Sequence, residues 1–210
     1  MFFVRPKWEW ELVYFHCMKK RISIIPGGWH KPTDKCYKWM IRYFNDLGFE
    51  VQMITIDWER HVMSDHVEQF KKQYLQSKAD QNYVIGFSFG AMIAFITALE
   101  LKPDKLFLCS LSPYFKEDLI HLKRKTDIRF LGKRRMEDLK KNSAVKIAKL
   151  ISAPTIIFCG GKEGSKYPSL LKRCKDASIQ IRHAQLVIAE NAPHEIDYPT
   201  YVDVIKKSVK

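Results

Sequence analysis

A doubly wound α/β fold, three layers deep with a mostly parallel sheet at its centre and a short helical lid inserted, is what this sequence predicts. Two patterns carry the prediction. From residue 21 onward, short apolar runs of strand length alternate with segments of helical period, the order that builds a parallel sheet covered on both faces. Residues 91–99 are apolar all round, as a helix buried at the centre of a domain must be. The length of 210 residues suits one domain with one core.

The elements follow in order. Residues 22–25 read as a strand that Pro26, Gly27 and Gly28 end. Cys36, Met40, Phe44 and Leu47 then recur at helical spacing until Gly48 stops the helix. Residues 51–56 form the next strand, and Met63, Val67, Phe70 and Tyr74 share one face of a second helix. Residues 82–85 are a third strand, followed by the apolar helix, and residues 105–111 a fourth. Residues 155–159 and 185–188 supply two more, with a helix around 170–174 between them. A closing helix from Thr200 carries Tyr201, Val202, Ile205 and Val209. Two stretches stand outside the alternation. Residues 8–16 read either as an antiparallel edge strand or as an extension, Met18 being an alternative start to Met1. Residues 113–150 are helical and basic, with Lys123, Arg124, Lys125, Lys133, Arg134 and Arg135, and read as a lid between two strands.

Composition narrows the function. Apolar residues make up 46% of the chain, which excludes disorder and fibrous repeats. No apolar run approaches the roughly 20 residues of a membrane span, and the first 20 residues are too interrupted by charge for a secretory signal. A cytoplasmic protein is expected, as a monomer or homodimer. Cys17, Cys36, Cys109, Cys159 and Cys174 are odd in number and form no C-x-x-C pair, so reduced, structural thiols are expected. The net charge of +13 comes mostly from lysine and accompanies no nucleic-acid module, so it reads as a solvated surface rather than a nucleic-acid face. Neither metal-ligand spacing nor a phosphate-binding glycine motif occurs, and no metal or cofactor is expected.

The chemistry centres on Gly86-Phe87-Ser88-Phe89-Gly90, which lies between a strand and the apolar helix. At such a strand-to-helix turn a serine takes a strained backbone conformation. Glycines two positions away on either side avoid clashes with neighbouring elements. The hydroxyl is pushed out beyond the strand, and the helix N-terminus behind it favours developing negative charge.

With this motif the sequence resembles the α/β-hydrolase family, and the resemblance extends from about residue 21 to the C-terminus apart from the lid. It implies serine, acid and histidine in that chain order, each after a strand. Gly160-Gly161-Lys162-Glu163 follows the strand at 155–159 and is similar to the family's G-x-x-D, with glutamate for aspartate. Asn191-Ala192-Pro193-His194 follows the strand at 185–188 and looks like the histidine loop. The implied triad is Ser88 as nucleophile, His194 as base and Glu163 as acid, with Asp57 and then Asp197 as alternatives to Glu163. A serine hydroxyl needs an imidazole to take its proton, and the imidazole needs a carboxylate to hold its tautomer. The resemblance also implies an oxyanion hole from the backbone N–H of Phe89 and one in the loop Pro26-Gly27-Gly28-Trp29-His30, Gly28 before Trp29. Trp29, His30 and Tyr114 are candidate substrate contacts, His30 being alternatively structural. Phe115, Phe130 and Leu131 are further lid positions that would face an acyl group, and the basic lid residues would attract an anionic leaving group.

The expected activity is cleavage of a small carboxylic ester or thioester through an acyl-enzyme. An amidase or peptidase, a non-catalytic binding protein and a basic interaction module remain open as alternatives.

Overall fold

Among the described residues, six parallel strands form one sheet: β1 (Lys20–Ile25), β2 (Phe49–Met53), β3 (Gln81–Phe87), β4 (Lys105–Cys109), β5 (Thr155–Gly160) and β6 (Ala184–Ala189). The computed structural model describes residues 18–77, 79–121 and 125–209. The edge strand or extension expected over residues 8–16, Cys17, Lys123 and Arg124 lie outside them, as do the side chains of Lys125 and Phe130.

Strand order is β2-β1-β3-β4-β5-β6. The chain winds one way from β1 to β2 and the other way from β3 on, so the direction reverses between β1 and β3. Sheets of this kind bind ligands beyond the strand C-termini at that reversal. Here the β1 end is the loop beginning at Pro26 and the β3 end is Ser88.

Helices cover both faces. On one lie α1 (Lys38–Asp46) and α9 (Pro199–Ser208), whose Met40, Phe44, Tyr201 and Ile205 pack with Ile22, Ile24, Phe107 and Phe158 of the sheet. On the other lie α2 (Met63–Leu75), α3 (Phe89–Leu101), α6 (Ala144–Leu150) and α8 (Pro168–Gln180), around Phe70, Phe95, Ala148 and Cys174. The central helix α3 is buried nearly all round, as its composition requires. Among the described residues no helix is long and apolar enough to cross a membrane. Cys36, Cys109, Cys159 and Cys174 are free thiols.

Three differences from the expected elements have physical causes. The strand expected at 105–111 ends at Cys109, because Ser110 turns to φ 55°. Glu163 lies not in a loop but in a short helix, α7 (Gly161–Lys166). The stretch expected as lid is only partly one. It holds α4 (Lys116–Leu119), α5 (Lys125–Leu139, kinked at Gly132) and α6, and α6 packs against α3 and α8 as an ordinary crossover helix.

The inserted part is bolted down. Asp118 at α4 receives Nε and a terminal nitrogen of Arg173 on α8 at 2.6–3.2 Å, with Arg173 only 2% exposed. Asp138 on α5 accepts the backbone N–H and hydroxyl of Ser64 at 2.8 and 2.7 Å, capping α2. Leu119, Leu131 and Leu139 are buried beneath it.

Glycine positions test how tightly these layers meet. A Cβ on Gly90 would lie 2.3 Å from the carbonyl oxygens of both Ile25 and Pro26, backbone atoms that cannot swing aside. Gly90→Ala is therefore expected to lower the unfolding free energy by about 3 kcal/mol or more. Gly132 has φ 69° and ψ 165°, a region essentially reserved for glycine, but a Cβ there would meet no atom within 4 Å, so Gly132→Ala incurs backbone strain of about 1–3 kcal/mol without a clash. Urea denaturation of both variants measures the difference, and equal losses would remove the steric account.

Candidate active site

Ser88 sits between the last residue of β3 and the first of α3, with φ 55° and ψ −115°. That conformation is costly for a residue with a side chain. It persists because the backbone is held on both sides: Ser88 donates its N–H to Cys109 O at 2.8 Å, and its carbonyl accepts from Ala91 and Met92. The two flanking glycines make the turn sterically feasible, since a Cβ on Gly86 would lie 2.3 Å from Gly90 O. The hydroxyl emerges at the mouth of the sheet with Ser88 9% exposed.

His194 reaches it. Its Nε2 lies 3.1 Å from Ser88 Oγ and its Nδ1 2.5 Å from Glu163 Oε1. A carboxylate accepts, so Nδ1 carries the proton and Nε2 presents its lone pair to the serine O–H. The ring packs against Phe87 at 4.8 Å between centroids. Ser112 Oγ is 3.2 Å from Ser88 Oγ; with the serine proton directed at His194, Ser112 is the donor in that contact.

Glu163 is 1% exposed and fully engaged. Its second oxygen accepts the Ser110 hydroxyl and the Gly160 N–H, each at 2.8 Å. Ser110 Oγ is also 2.7 Å from the Tyr201 hydroxyl, which lies 3.2 Å from Phe158 O. The carboxylate thus spans from the N-terminus of its own helix to the imidazole, a reach that uses glutamate's additional methylene. Ala192 O accepts the N–H groups of both Lys162 and Glu163, at 3.1 and 3.2 Å. These are orphan donors of the first turn of α7, and bonding them to the loop of His194 fixes Glu163 and His194 relative to one another.

The other expected acids are elsewhere. Asp57 is exposed and pairs with His61 at 3.2 Å, and Asp197 is exposed; the His194 Nδ1–H donates to Glu163.

Opposite the serine, the loop after β1 turns through Trp29 at φ 63°. Gly28 lies against Phe89, whose ring would be 3.0 Å from a Cβ at that position. Among the described residues, neither the Gly28 nor the Phe89 N–H is donated to a protein acceptor. The Phe89 N–H is the first of α3 and has no partner within the helix. The Tyr37 hydroxyl accepts the Gly27 N–H at 2.8 Å and lies 2.9 Å from His30 Nδ1. Burial lowers the His30 pKa, so the neutral ring accepts a hydrogen bond from the Tyr37 hydroxyl, whose own acceptor role toward Gly27 is retained. His30, expected as a substrate contact, is thus occupied in holding its own loop.

Trp29 lines a pocket beside the site together with Phe89 and lid residues. Tyr114, also expected as a substrate contact, stacks on Phe89 at 5.2 Å but is not part of that pocket wall. Sequence reasoning missed Ser110, Ser112 and Tyr201. Ser110 and Ser112 fall in an apolar run that reads as strand and loop, and Tyr201 reads as one apolar position of the last helix. Among the described residues, no group of three or more His, Cys, Asp or Glu side chains could hold a metal ion.

No protein-family model matches the sequence, and no curated protein matches it. Solved structures do match in three dimensions. Est1E from Butyrivibrio proteoclasticus with ferulic acid bound aligns at TM-score 0.76 and 14% identity, over 92% of this chain and 87% of that one. Alpha/beta hydrolase domain-containing protein 10 from mouse aligns at 0.73 and 8% identity, over 90% and 87%. A lipase-esterase related protein from Clostridium acetobutylicum aligns at 0.65 and 13% identity, over 90% and 93%. The sheet order, its covering helices and these alignments agree that this chain has the α/β-hydrolase fold.

Proposed function

We propose that the protein is a serine hydrolase that cleaves a small carboxylic ester or thioester through an acyl-enzyme intermediate. The observation that carries this reading is the unbroken chain of contacts from Glu163 through His194 to Ser88, at 2.5 and 3.1 Å. The reading also draws support from fold neighbours described as hydrolase and lipase-esterase related proteins.

In the reaction, Ser88 Oγ attacks the acyl carbonyl carbon while its proton passes to His194 Nε2. Glu163 stabilises the imidazolium without itself taking the proton. The carbonyl oxygen becomes an oxyanion received by the N–H groups of Phe89 and Gly28, with the N-terminus of the 13-residue helix α3 behind it. Collapse of the tetrahedral intermediate breaks the bond to the leaving alcohol or thiol, which takes the proton from His194. Water then attacks the acyl-serine, its proton passing to His194 and onward to Ser88 Oγ as the free acid leaves. Ser112, donating to Ser88 Oγ, orients the nucleophile between turnovers.

A fluorophosphonate probe is expected to label the native chain at Ser88, with labelling lost in Ser88→Ala and strongly slowed in His194→Ala. On a panel of short esters and thioesters, Ser88→Ala should lower kcat by at least about 10⁴-fold. Labelling that survives Ser88→Ala, or a native protein that neither labels nor hydrolyses, would sink the assignment.

The acid gives a finer test. Glu163→Gln should lower kcat by about 10³- to 10⁴-fold, since the amide cannot stabilise the imidazolium. Glu163→Asp should lower it by about 10²-fold through displacement of the imidazole. Ser110→Gly removes one hydrogen bond to the acid, expected to lower kcat about tenfold. It also relieves the backbone at φ 55°, so its thermal stability should fall less than that of Ser110→Ala. Wild-type kcat in Glu163→Asp would show that the carboxylate's reach is immaterial.

A further inference from the structure

Among the described residues the Glu163 carboxylate pairs with no lysine or arginine, and His194 is its one ionisable partner. The other titratable groups acting on it are the thiols of Cys109 on β4 and Cys174 on α8 and the phenol of Tyr201 on α9. Burial pushes Cys109 and Tyr201 well up, and a bond to Cys159 together with burial does the same for Cys174, so all three stay neutral. A buried carboxylate in such surroundings is held by hydrogen bonds, and each donor counts.

The direction of the bonds behind Glu163 follows from where they end. A carboxylate oxygen only accepts, so across the 2.8 Å to Oε2 the Ser110 hydroxyl donates. That commits its one proton. Across the 2.7 Å between Ser110 Oγ and the Tyr201 hydroxyl, tyrosine is therefore the donor. The Tyr201 oxygen also lies 3.2 Å from Phe158 O, but that carbonyl already accepts the Ser110 N–H at 2.7 Å. A hydroxyl that receives a hydrogen bond is a stronger donor, and Tyr201 leaves Ser110 one acceptor for its proton, the carboxylate.

Tyr201 is fully buried, and its ring stands edge-on to Phe87, whose ring packs on the imidazole. The loop that carries His194 leads directly into α9. The contacts thus close a ring, from His194 to Glu163 to Ser110 to Tyr201 and back along the chain to His194. We propose that Tyr201 is a positioning residue of the acyl transfer: its hydroxyl, acting through Ser110, fixes the rotation of the Glu163 carboxylate and so the tautomer and aim of His194. This rests on the reading of Ser88, His194 and Glu163 as the catalytic groups.

Y201F keeps the ring and removes only the hydroxyl. With para-nitrophenyl acetate as substrate it is expected to lower kcat about three- to fivefold while KM stays within about twofold. S110A should lower kcat by more. Y201F added to S110A should lower it no further, within about 1.5-fold, since the tyrosine then has no serine to act through. Wild-type kcat in Y201F, a loss carried by KM, or losses that multiply in the double variant would each overturn the inference. A second readout needs no substrate: the nitrogen-15 shift of His194 Nδ1, observed through the carbon-bound ring protons and assigned by its loss in His194→Ala. In Y201F it is expected to move toward the value of an unprotonated ring nitrogen, because a looser carboxylate holds the Nδ1–H tautomer less firmly. S110A, in which Tyr201 is intact, should move it the same way, and an unmoved shift in S110A overturns the inference whether or not Y201F folds. If the native protein neither reacts with fluorophosphonate nor cleaves an ester, the hydrolase reading falls, while this shift still decides whether Tyr201 acts on His194.

Discussion

The structure depends first on one close approach. β3, the start of α3 and the loop after β1 converge so tightly at Gly86 and Gly90 that a Cβ at either position would lie 2.3 Å from a backbone oxygen. This contact lets the chain turn from strand to helix through Ser88 at φ 55°. It also brings the β1 loop, with Gly28, against Phe89. The exposure of the Ser88 hydroxyl, the helix N-terminus behind it and the N–H groups of Gly28 and Phe89 beside it all follow from that convergence. They are aspects of one packing solution at the point where the sheet reverses its winding.

A second junction stands on the far side of the histidine. A Cβ at Gly160 would lie 2.5 Å from Ala192 O, and that same carbonyl takes two N–H groups from the start of α7. Glu163 and the loop carrying His194 are therefore tied directly to one another. Because Glu163 sits in the first turn of α7, its carboxylate satisfies the Gly160 N–H with one oxygen and the imidazole with the other. An aspartate at this position would reach less far. The glutamate standing in place of the aspartate of G-x-x-D is thus matched by a local helix, with Ser110 bonding the carboxylate and Tyr201 bonding Ser110 in turn.

Much of this was legible in the sequence. The alternation of apolar runs and helical periods gave the layers, and the strand-to-helix setting of Gly86 to Gly90 gave the elbow, because both patterns report local physics. What escaped depends on tertiary contacts. Gly160-Gly161-Lys162-Glu163 looks like a loop because two glycines disfavour helix, and α7 forms because Ala192 and the Glu163 carboxylate satisfy its end. The segment from 113 to 150 reads as one basic insertion, yet α6 belongs to the main body. Its core face is Ala144 and Ala148, too small to give a strong periodic signal. His66 sits beside Val67 in a helix read from its apolar face, and nothing in the sequence distinguishes a buried histidine there from an exposed one.

The distribution of backbone strain ties these features together. Among the described residues, six that are not glycine have left-handed φ, and four of them follow strands: Trp29 after β1, Ser88 after β3, Ser110 after β4 and Asn191 after β6. Each such residue costs of order 1–3 kcal/mol, so the cost gathers at the C-terminal edge of the sheet. Each turn aims something: Trp29 at the pocket, Ser88 at the imidazole, Ser110 at the acid. Asn191 begins the bend that delivers Ala192 and His194. The opposing stabilisation comes from the two hydrophobic clusters that hold the sheet between its helices. A rigid, close-packed sheet can hold several unfavourable turns along one edge because no single turn can relax without pulling its strand out of register. Strain is therefore concentrated along the edge of the sheet where Ser88, Glu163 and His194 meet, and the rest of the molecule is built to withstand it.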